Sequence, residues 1–318
     1  MEYRHLGRAG VKVSTISLGS WLTFGNAVEE QTSIDCIHRA YDLGINFFDT
    51  ANGYNRGEAE KVVGRALKDY RRDSYVLATK VFFPMGDGPN DRGLSRKHIM
   101  EQAHASLKRL GTDYIDLYQC HRYDPETPID EVLRALDDLV TQGKILYAGV
   151  SEWTAANIAD AVHTARELNL DKIVSNQPIY NMLNRYIESE VMPICEREGI
   201  GQVVFSPLEQ GILTGKYKPG QQAATGTRAA DSKLNMFMDM NEKTLTAVQN
   251  LQKIADEGGY KVSQLALAWV LRKPNVSSAI IGATKIAQVE ENVKAADIKL
   301  SDDVLQRIDE TLEGVYHY

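Results

Sequence analysis

Short apolar runs alternate along this chain with longer segments in which apolar residues recur every three or four positions. The runs occupy residues 16–19, 46–49, 75–80, 114–119, 145–150, 172–176, 202–206 and 278–281, eight in all. Most are continuously apolar, the pattern of parallel strands covered on both faces. The intervening segments have helical period. Ala59, Val62, Val63, Ala66 and Leu67 fall on one face of a helix. Ser95 is placed to cap the next helix, whose inward face is Ile99, Ala103 and Leu107, with Gly111 beyond its end. Another opens at Thr127–Pro128 with Pro at the first helical position, carries Ile129, Val132, Leu133, Leu136 and Val140 as its stripe, and stops at Gly143. Ahead of the first run, residues 4–14 read as a hairpin with Gly10 supplying the turn.

Eight strands with helices between them predict a (β/α)8 TIM barrel with an N-terminal β-hairpin, rather than a doubly wound sheet. Residues 208–240 form a long Gly-rich polar loop after the seventh strand, and a structureless stretch of that length is usually functional. Helical patterns over 241–256 and 263–271 then precede strand eight, and one over 302–312 follows it. No repeat, low-complexity tract or linker divides the chain, so a single barrel domain over 1–318 is expected.

Composition narrows the partners. The chain is 43% hydrophobic and 25% charged, with a net charge of −7 and no basic stripe, which argues against nucleic acid. The start lacks the apolar core of a signal peptide, and no segment approaches the roughly 18 apolar residues of a membrane span. Cys36, Cys120 and Cys195 are odd in number and widely spaced, which disfavours a disulfide framework or zinc site and points to a cytoplasmic setting. The histidines form no strand-end ligand cluster, so a metal-dependent barrel hydrolase is a weak reading and no metal is expected.

In such barrels the chemistry sits at the C-terminal strand ends. The second strand ends in Asp49 and its loop carries Tyr54. The third, in "SYVLATK", ends in Lys80, and the fourth, in "DYIDLYQCH", leads to His121. Each residue alone has a bland explanation as a cap, a turn aromatic or a solvated charge. Together they complement one another. Hydride transfer to a carbonyl leaves an alkoxide that needs a proton, and a Tyr hydroxyl, with a free pKa of about 10, is a poor donor near neutrality. An ammonium beside it favours the phenolate and lowers that pKa toward useful range. Lys80 would supply the charge, Asp49 would hold Lys80, and His121 would orient the carbonyl.

These residues lie in motifs that resemble the aldo-keto reductase family: "GINFFDTANGYNRGEAE", "LATK", "LGTDYIDLYQCH", "GVSEW", "SNQPIYNML", "FSPLEQGILTGKY" and "IIGATKIAQVEENV". The resemblance covers essentially the whole chain, and the family's catalytic tetrad falls on Asp49, Tyr54, Lys80 and His121. "YRHLGRAGVKVS", "WLTFG", "RGLSRKHI" and "VSSAIIGA" are most similar to the branch of voltage-gated potassium channel beta subunits and their bacterial relatives. No strand is followed by GxGxxG, so a Rossmann dinucleotide site is not indicated.

The resemblance implies NADP(H) extended across the barrel mouth. Ser151 and Gln177 would hold its carboxamide, with Trp21 nearby, and Phe205 would stack on the nicotinamide. Ser206, Pro207, Leu208, Gly211, Thr214 and Lys216 would line the pyrophosphate, and Gly282, Thr284, Gln288, Glu291 and Asn292 the adenosine end. Thr284 and Gln288 with Lys216, Arg228 or Lys285 would pair the 2′-phosphate. Phe205 stands where many relatives carry Tyr or Trp, and Glu152 where many carry Asn. His121 is present where the animal channel subunits carry Asn, which favours reductase competence. Trp21, Phe82, Phe83 and Trp153 would wall an apolar pocket for an aldehyde, and residues 234–240 would either fold over it or pack their Met side chains into the core or against helices.

The expected function is therefore NADPH-dependent reduction of aldehydes or ketones with Tyr54 as general acid. The alternative is a redox-sensing beta subunit of a potassium channel with slow turnover, disfavoured by the lack of a segment ahead of the hairpin. A homo-oligomer, tetrameric or larger, is compatible with either.

Overall fold

The computed structural model describes residues 1–21, 29–224, 227–230 and 240–317. Strands β1 (Tyr3–His5) and β2 (Lys12–Ser14) pair antiparallel as the expected hairpin. Its turn is made by Gly7, at φ +58°, and not by Gly10. A Cβ on Gly7 would lie 2.3 Å from the Gly199 carbonyl oxygen, so backbone approach as well as conformation requires glycine there.

Eight parallel strands close the barrel among the described residues: β3 (Ile16–Gly19), β4 (Phe47–Asp49), β5 (Val76–Val81), β6 (Ile115–Cys120), β7 (Ile145–Ser151), β8 (Ile173–Gln177), β9 (Gly201–Val204) and β10 (Val276–Ile281). Closure is parallel pairing of β10 with β3, in the register Ala279 to Ile16. Every expected strand is present, β3 with the expected bounds and the others shifted by one or two residues at one or both ends. Leu6 and Val13 of the hairpin join Phe47, Val76, Ala78, Leu117 and Val203 in a cluster inside the barrel. The hairpin thus plugs the end opposite the strand C-termini.

A second, larger core lies between the strands and the helical layer. After the strands in turn come α1 (Glu30–Asp42), α2 (Glu58–Leu67), α3 (Arg96–Leu110), α4 (Ile129–Thr141), α5 (Ala155–Glu167) and α6 (Val191–Glu198). Two helices, α7 (Glu242–Glu257) and α8 (Val262–Leu271), stand between β9 and β10, and α9 (Ile286–Val293) and α10 (Asp302–Thr311) follow β10. The Ser95 hydroxyl accepts from the His98 N–H and Gly111 closes α3 at φ +67°, as the sequence suggests. Pro128 sits one residue earlier than expected: its ψ of 136° is extended, which makes it the N-cap of α4 rather than its first helical residue.

The loop after β9 is not structureless where it is described. Short 3-10 turns span Glu209–Thr214 and Arg228–Ala230. Of the proposed flap, residues 234–239 lie outside the described residues, and Met240 packs against the outer core. Cys36, Cys120 and Cys195 are free and buried. Burial pushes the Cys120 thiol up to about 12, which removes it from chemistry despite its place beside His121.

Candidate active site

A cleft of about 1960 Å³ opens at the C-terminal ends of the strands. Asp49, Tyr54 and His121 line it, and Lys80 lies beneath them with no exposed surface. Beyond β4 the chain stays locked to its neighbour, with the Thr50 N–H on the Ala78 carbonyl and the Asn52 N–H on the Lys80 carbonyl. It then reverses through Asn55, Arg56 and Gly57, all at positive φ, so that Tyr54 lies over Lys80. Gly57 is needed in this turn: a Cβ there would lie 2.6 Å from Arg109 Cδ.

The Lys80 ammonium places its three hydrogens within protein. It donates to Asp49 Oδ2 at 2.6 Å, to the Thr50 carbonyl at 2.8 Å and to the Tyr54 hydroxyl at 3.3 Å. Asp49 Oδ1 accepts from Gln177 Nε2 at 2.9 Å and from Gln119 Nε2 at 3.4 Å. Burial alone would lower the Lys80 pKa, but Asp49 and Tyr54 more than offset it and the group is held above its usual range. Lys80 is therefore a fixed cation at any ordinary pH.

The expectation for Tyr54 is met in direction of influence but not in outcome. Burial, the strongest influence, raises its pKa, and the Lys80 ammonium is the chief opposing effect. Tyr54 is thus protonated throughout the neutral range. The His121 ring meets the Tyr54 ring edge-on, with centroids 5.5 Å apart. Burial first, then Lys80 and Arg122, push its imidazole well below the usual range, so His121 is neutral.

Every residue expected at the cofactor lines the same cleft. Near the tetrad, the Ser151 hydroxyl donates to the Gln177 carbonyl at 2.7 Å, in the register where β7 and β8 pair Ser151 with Gln177. Because the Gln177 amide nitrogen serves Asp49, its amide oxygen is the atom left to serve as an acceptor. Phe205 follows β9, fixed by its N–H on the Pro178 carbonyl. Further out, the Lys216 ammonium lies so close over Gly211 that a Cβ there would be 3.1 Å from it. The Arg228 guanidinium lies 5.1 Å from the Trp21 ring centroid, and both residues line the cleft. Beyond β10, the Thr284 N–H donates to Gln288 Oε1 of α9 at 2.8 Å, and Glu291 of α9 accepts from the Ser263 hydroxyl of α8 at 3.1 Å. Lys216, Arg228 and Lys285 bring cationic donors suited to phosphates to this far end, beside the carboxylates of Glu209 and Glu291.

Two of the expected pocket aromatics are elsewhere. Trp153 is 1% exposed and packs edge-on against Tyr123 in the outer core, and Phe82 packs against that same core. Trp21 and Phe83 do line the cleft. The sequence reading missed Arg122, Ile179 and Asn184, which also line it. Arg122 was signalled only by its position next to His121.

Glu152 follows β7 at φ +57°, a left-handed conformation that Asn adopts more readily than Glu. Its carboxylate turns to the Ile179 N–H at 2.6 Å and accepts weakly from the Tyr186 hydroxyl at 3.4 Å. Among the described residues no cluster of His, Cys, Asp or Glu is able to hold a metal ion.

A closed parallel barrel with an acid, a phenol, a lysine and a neutral histidine at its mouth defines a class of barrel oxidoreductases. Residues 15–313 match the Aldo/keto reductase family, and the chain belongs to it. It is 46% identical over 321 residues to a putative voltage-gated potassium channel subunit beta of Schizosaccharomyces pombe, covering 98% of this chain and 93% of that protein. It is 42% identical over 320 residues to a probable voltage-gated potassium channel subunit beta of Arabidopsis thaliana, covering 99% and 97% respectively. A protein of the same description from Oryza sativa subsp. japonica shares 42% identity with it, with the same coverage.

Proposed function

We propose that the protein reduces aldehydes or ketones to alcohols with NADPH, and that Tyr54 delivers the proton. The observation that carries this reading is the Lys80 ammonium, 2.6 Å from Asp49 and 3.3 Å from the Tyr54 hydroxyl, sealed beneath the cleft floor. The reduced nicotinamide, when bound, supplies the hydride. The protein's own residues do the rest. Tyr54, protonated at rest, donates to the carbonyl oxygen as charge develops there. The phenolate it leaves is stabilised by an ammonium already in place, so no reorganisation is needed at the moment of transfer. His121, kept neutral, donates one hydrogen bond to the same oxygen without adding a charge to the site.

Ser151 and the Gln177 amide oxygen suit a carboxamide, Phe205 offers an aromatic face, and the lysine and arginine donors of the far end suit a nucleotide bearing an extra phosphate. The preference for NADPH over NADH rests on that last feature. The test follows the loss of reduced-cofactor absorbance with an activated aromatic aldehyde, with NADPH and with NADH, for wild type and Tyr54→Phe. We expect turnover that favours NADPH and falls by roughly 10²–10⁴-fold in the variant while cofactor affinity is retained. A variant as fast as wild type removes Tyr54 from the role of proton donor.

The names of the relatives support a second reading, a cofactor-binding subunit of a potassium channel. Capture of a channel's cytoplasmic domain from a defined mixture, together with tight NADPH binding and no turnover of any carbonyl, would favour it. Homo-oligomers fit both readings, and sedimentation velocity measures them directly.

A further inference from the structure

Arg122 follows His121 and lines the cleft wall at the tetrad end, near Phe83 and Ile179. Its Nη1 donates to the His121 carbonyl oxygen at 2.6 Å. Its guanidinium carbon lies 5.6 Å from the Phe83 ring centroid. These contacts fix the group without neutralising it. Among the described residues no carboxylate oxygen lies within 4.0 Å of Arg122. Other sheltered arginines do have one: Arg72 reaches Asp116 at 2.5 Å, and Arg185 reaches Asp309 at 2.7 Å. A half-buried guanidinium beside a cleft, with donors left over and no carboxylate in contact with it among the described residues, is arranged for an anion that arrives with the ligand, even with Glu152 near enough to feel its charge.

We infer that Arg122 is a specificity residue that receives a carboxylate carried by the carbonyl substrate, so that the protein prefers carboxylated aldehydes or ketones to neutral ones. This rests on the carbonyl-reductase reading above. The planar fork of the guanidinium matches a carboxylate, and its place next to His121 puts that charge near the carbonyl to be reduced.

Glu152 sets the limit on charge. It lines the same end of the cleft, with its Oε1 held on the Ile179 N–H at 2.6 Å rather than on Arg122, whose charge nevertheless reaches it. A monoanion gains a guanidinium and meets one carboxylate held at a distance. A phosphate dianion doubles both the attraction and the repulsion, and it carries a larger desolvation cost, so a carboxylate is favoured over a phosphate.

The experiment compares kcat/KM for para-carboxybenzaldehyde, its neutral methyl ester and para-formylphenyl phosphate, in wild type, Arg122→Met, Arg122→Lys and Glu152→Gln. Wild type should prefer the carboxylate to the ester by roughly 10–100-fold, the range of one charge-assisted hydrogen-bonded pair. The ratio should fall toward one in Arg122→Met and be partly kept in Arg122→Lys. The phosphate should be the poorer anion, and Glu152→Gln should narrow that gap. A wild-type ratio near one, or a ratio that survives Arg122→Met, overturns the inference.

Calorimetry with benzoate and benzamide on NADP-saturated protein separates the two readings. Benzoate binding that depends on Arg122, without turnover of any aldehyde, sinks the reductase reading and keeps the anion site. Turnover of aldehydes with no discrimination between benzoate and benzamide sinks the anion site alone.

Discussion

Lys80 is the residue on which the candidate site turns, because its charge serves stability and chemistry at once. With no exposed surface, it is compensated by Asp49, the Thr50 carbonyl and the Tyr54 hydroxyl. Lys80→Met leaves Asp49 buried beside an apolar chain, and breaking such a pair typically costs about 3–5 kcal/mol. Denaturant unfolding should show a loss of that size, and turnover should fall with it. An unchanged unfolding midpoint would mean that the pair contributes little to folding.

His121 makes the opposite kind of statement, one about pH. Its pKa in the folded protein lies well below the ordinary 6.5 because of burial, and His98 is lowered by burial too. Below about pH 6.5 the unfolded chain takes up protons that the folded chain refuses, so stability falls as pH drops. The contribution is fully present above the unfolded value and is lost progressively on the acid side. His121→Asn should flatten the slope of stability against pH between about 6.5 and 5, read from chemical denaturation at several pH values. A slope equal to that of wild type would show that the imidazole titrates normally.

Elements carry these residues by close packing, and the fit of α2 against α3 is one example. α2 leads out of the turn that holds Tyr54, and a Cβ on its Gly64 would lie 2.4 Å from the Leu110 carbonyl oxygen at the end of α3. Helix propensity alone would make Gly64→Ala stabilising by about 1 kcal/mol. Because the obstacle is backbone, the packing penalty of about 1–3 kcal/mol should win, and the variant should unfold at lower denaturant. A stabilised variant would mean that the two helices separate at little cost.

The same region holds a buried anchor. Glu60, with no exposed surface, accepts from the Thr79 hydroxyl at 2.6 Å and from Arg109 Nε at 2.5 Å. It joins α2 to the strand that carries Lys80, and the side chain of Arg109 fills the space over Gly57.

At the scale of the whole molecule, stability and the candidate chemistry sit at opposite ends of the barrel. The hairpin closes the end at the strand N-termini, where Leu6 is fully buried in the inner cluster. Leu6→Ala should cost about 2–5 kcal/mol by opening a cavity there. Activity well below the melting temperature should change far less than in any variant of the strand ends. Parallel loss of kcat and stability would show that the two ends are coupled through the barrel interior.

What the sequence determined by itself is what local pattern encodes. Continuous apolar runs mark two-sided burial, so all eight strands were legible, and apolar stripes with Ser95 and Gly111 as caps marked the helices. Order along the chain also placed Asp49, Tyr54, Lys80 and His121 on consecutive strand ends. Tertiary structure decided everything that depends on neighbours distant in sequence. Gly7 rather than Gly10 turns the hairpin because Gly199 and Gly201 press against it. Trp153 is core and Phe83 is wall, although both stand next to strand ends. Tyr54 is held protonated because desolvation outweighs the ammonium beside it, a balance that no spacing of residues records. Arg122 lacks a contacting carboxylate among the described residues because the fold holds Glu152, the nearby acid, on the Ile179 N–H instead. Periodicity and capping act within a few residues, whereas burial and Coulomb interactions are set by what the closed barrel gathers around a group.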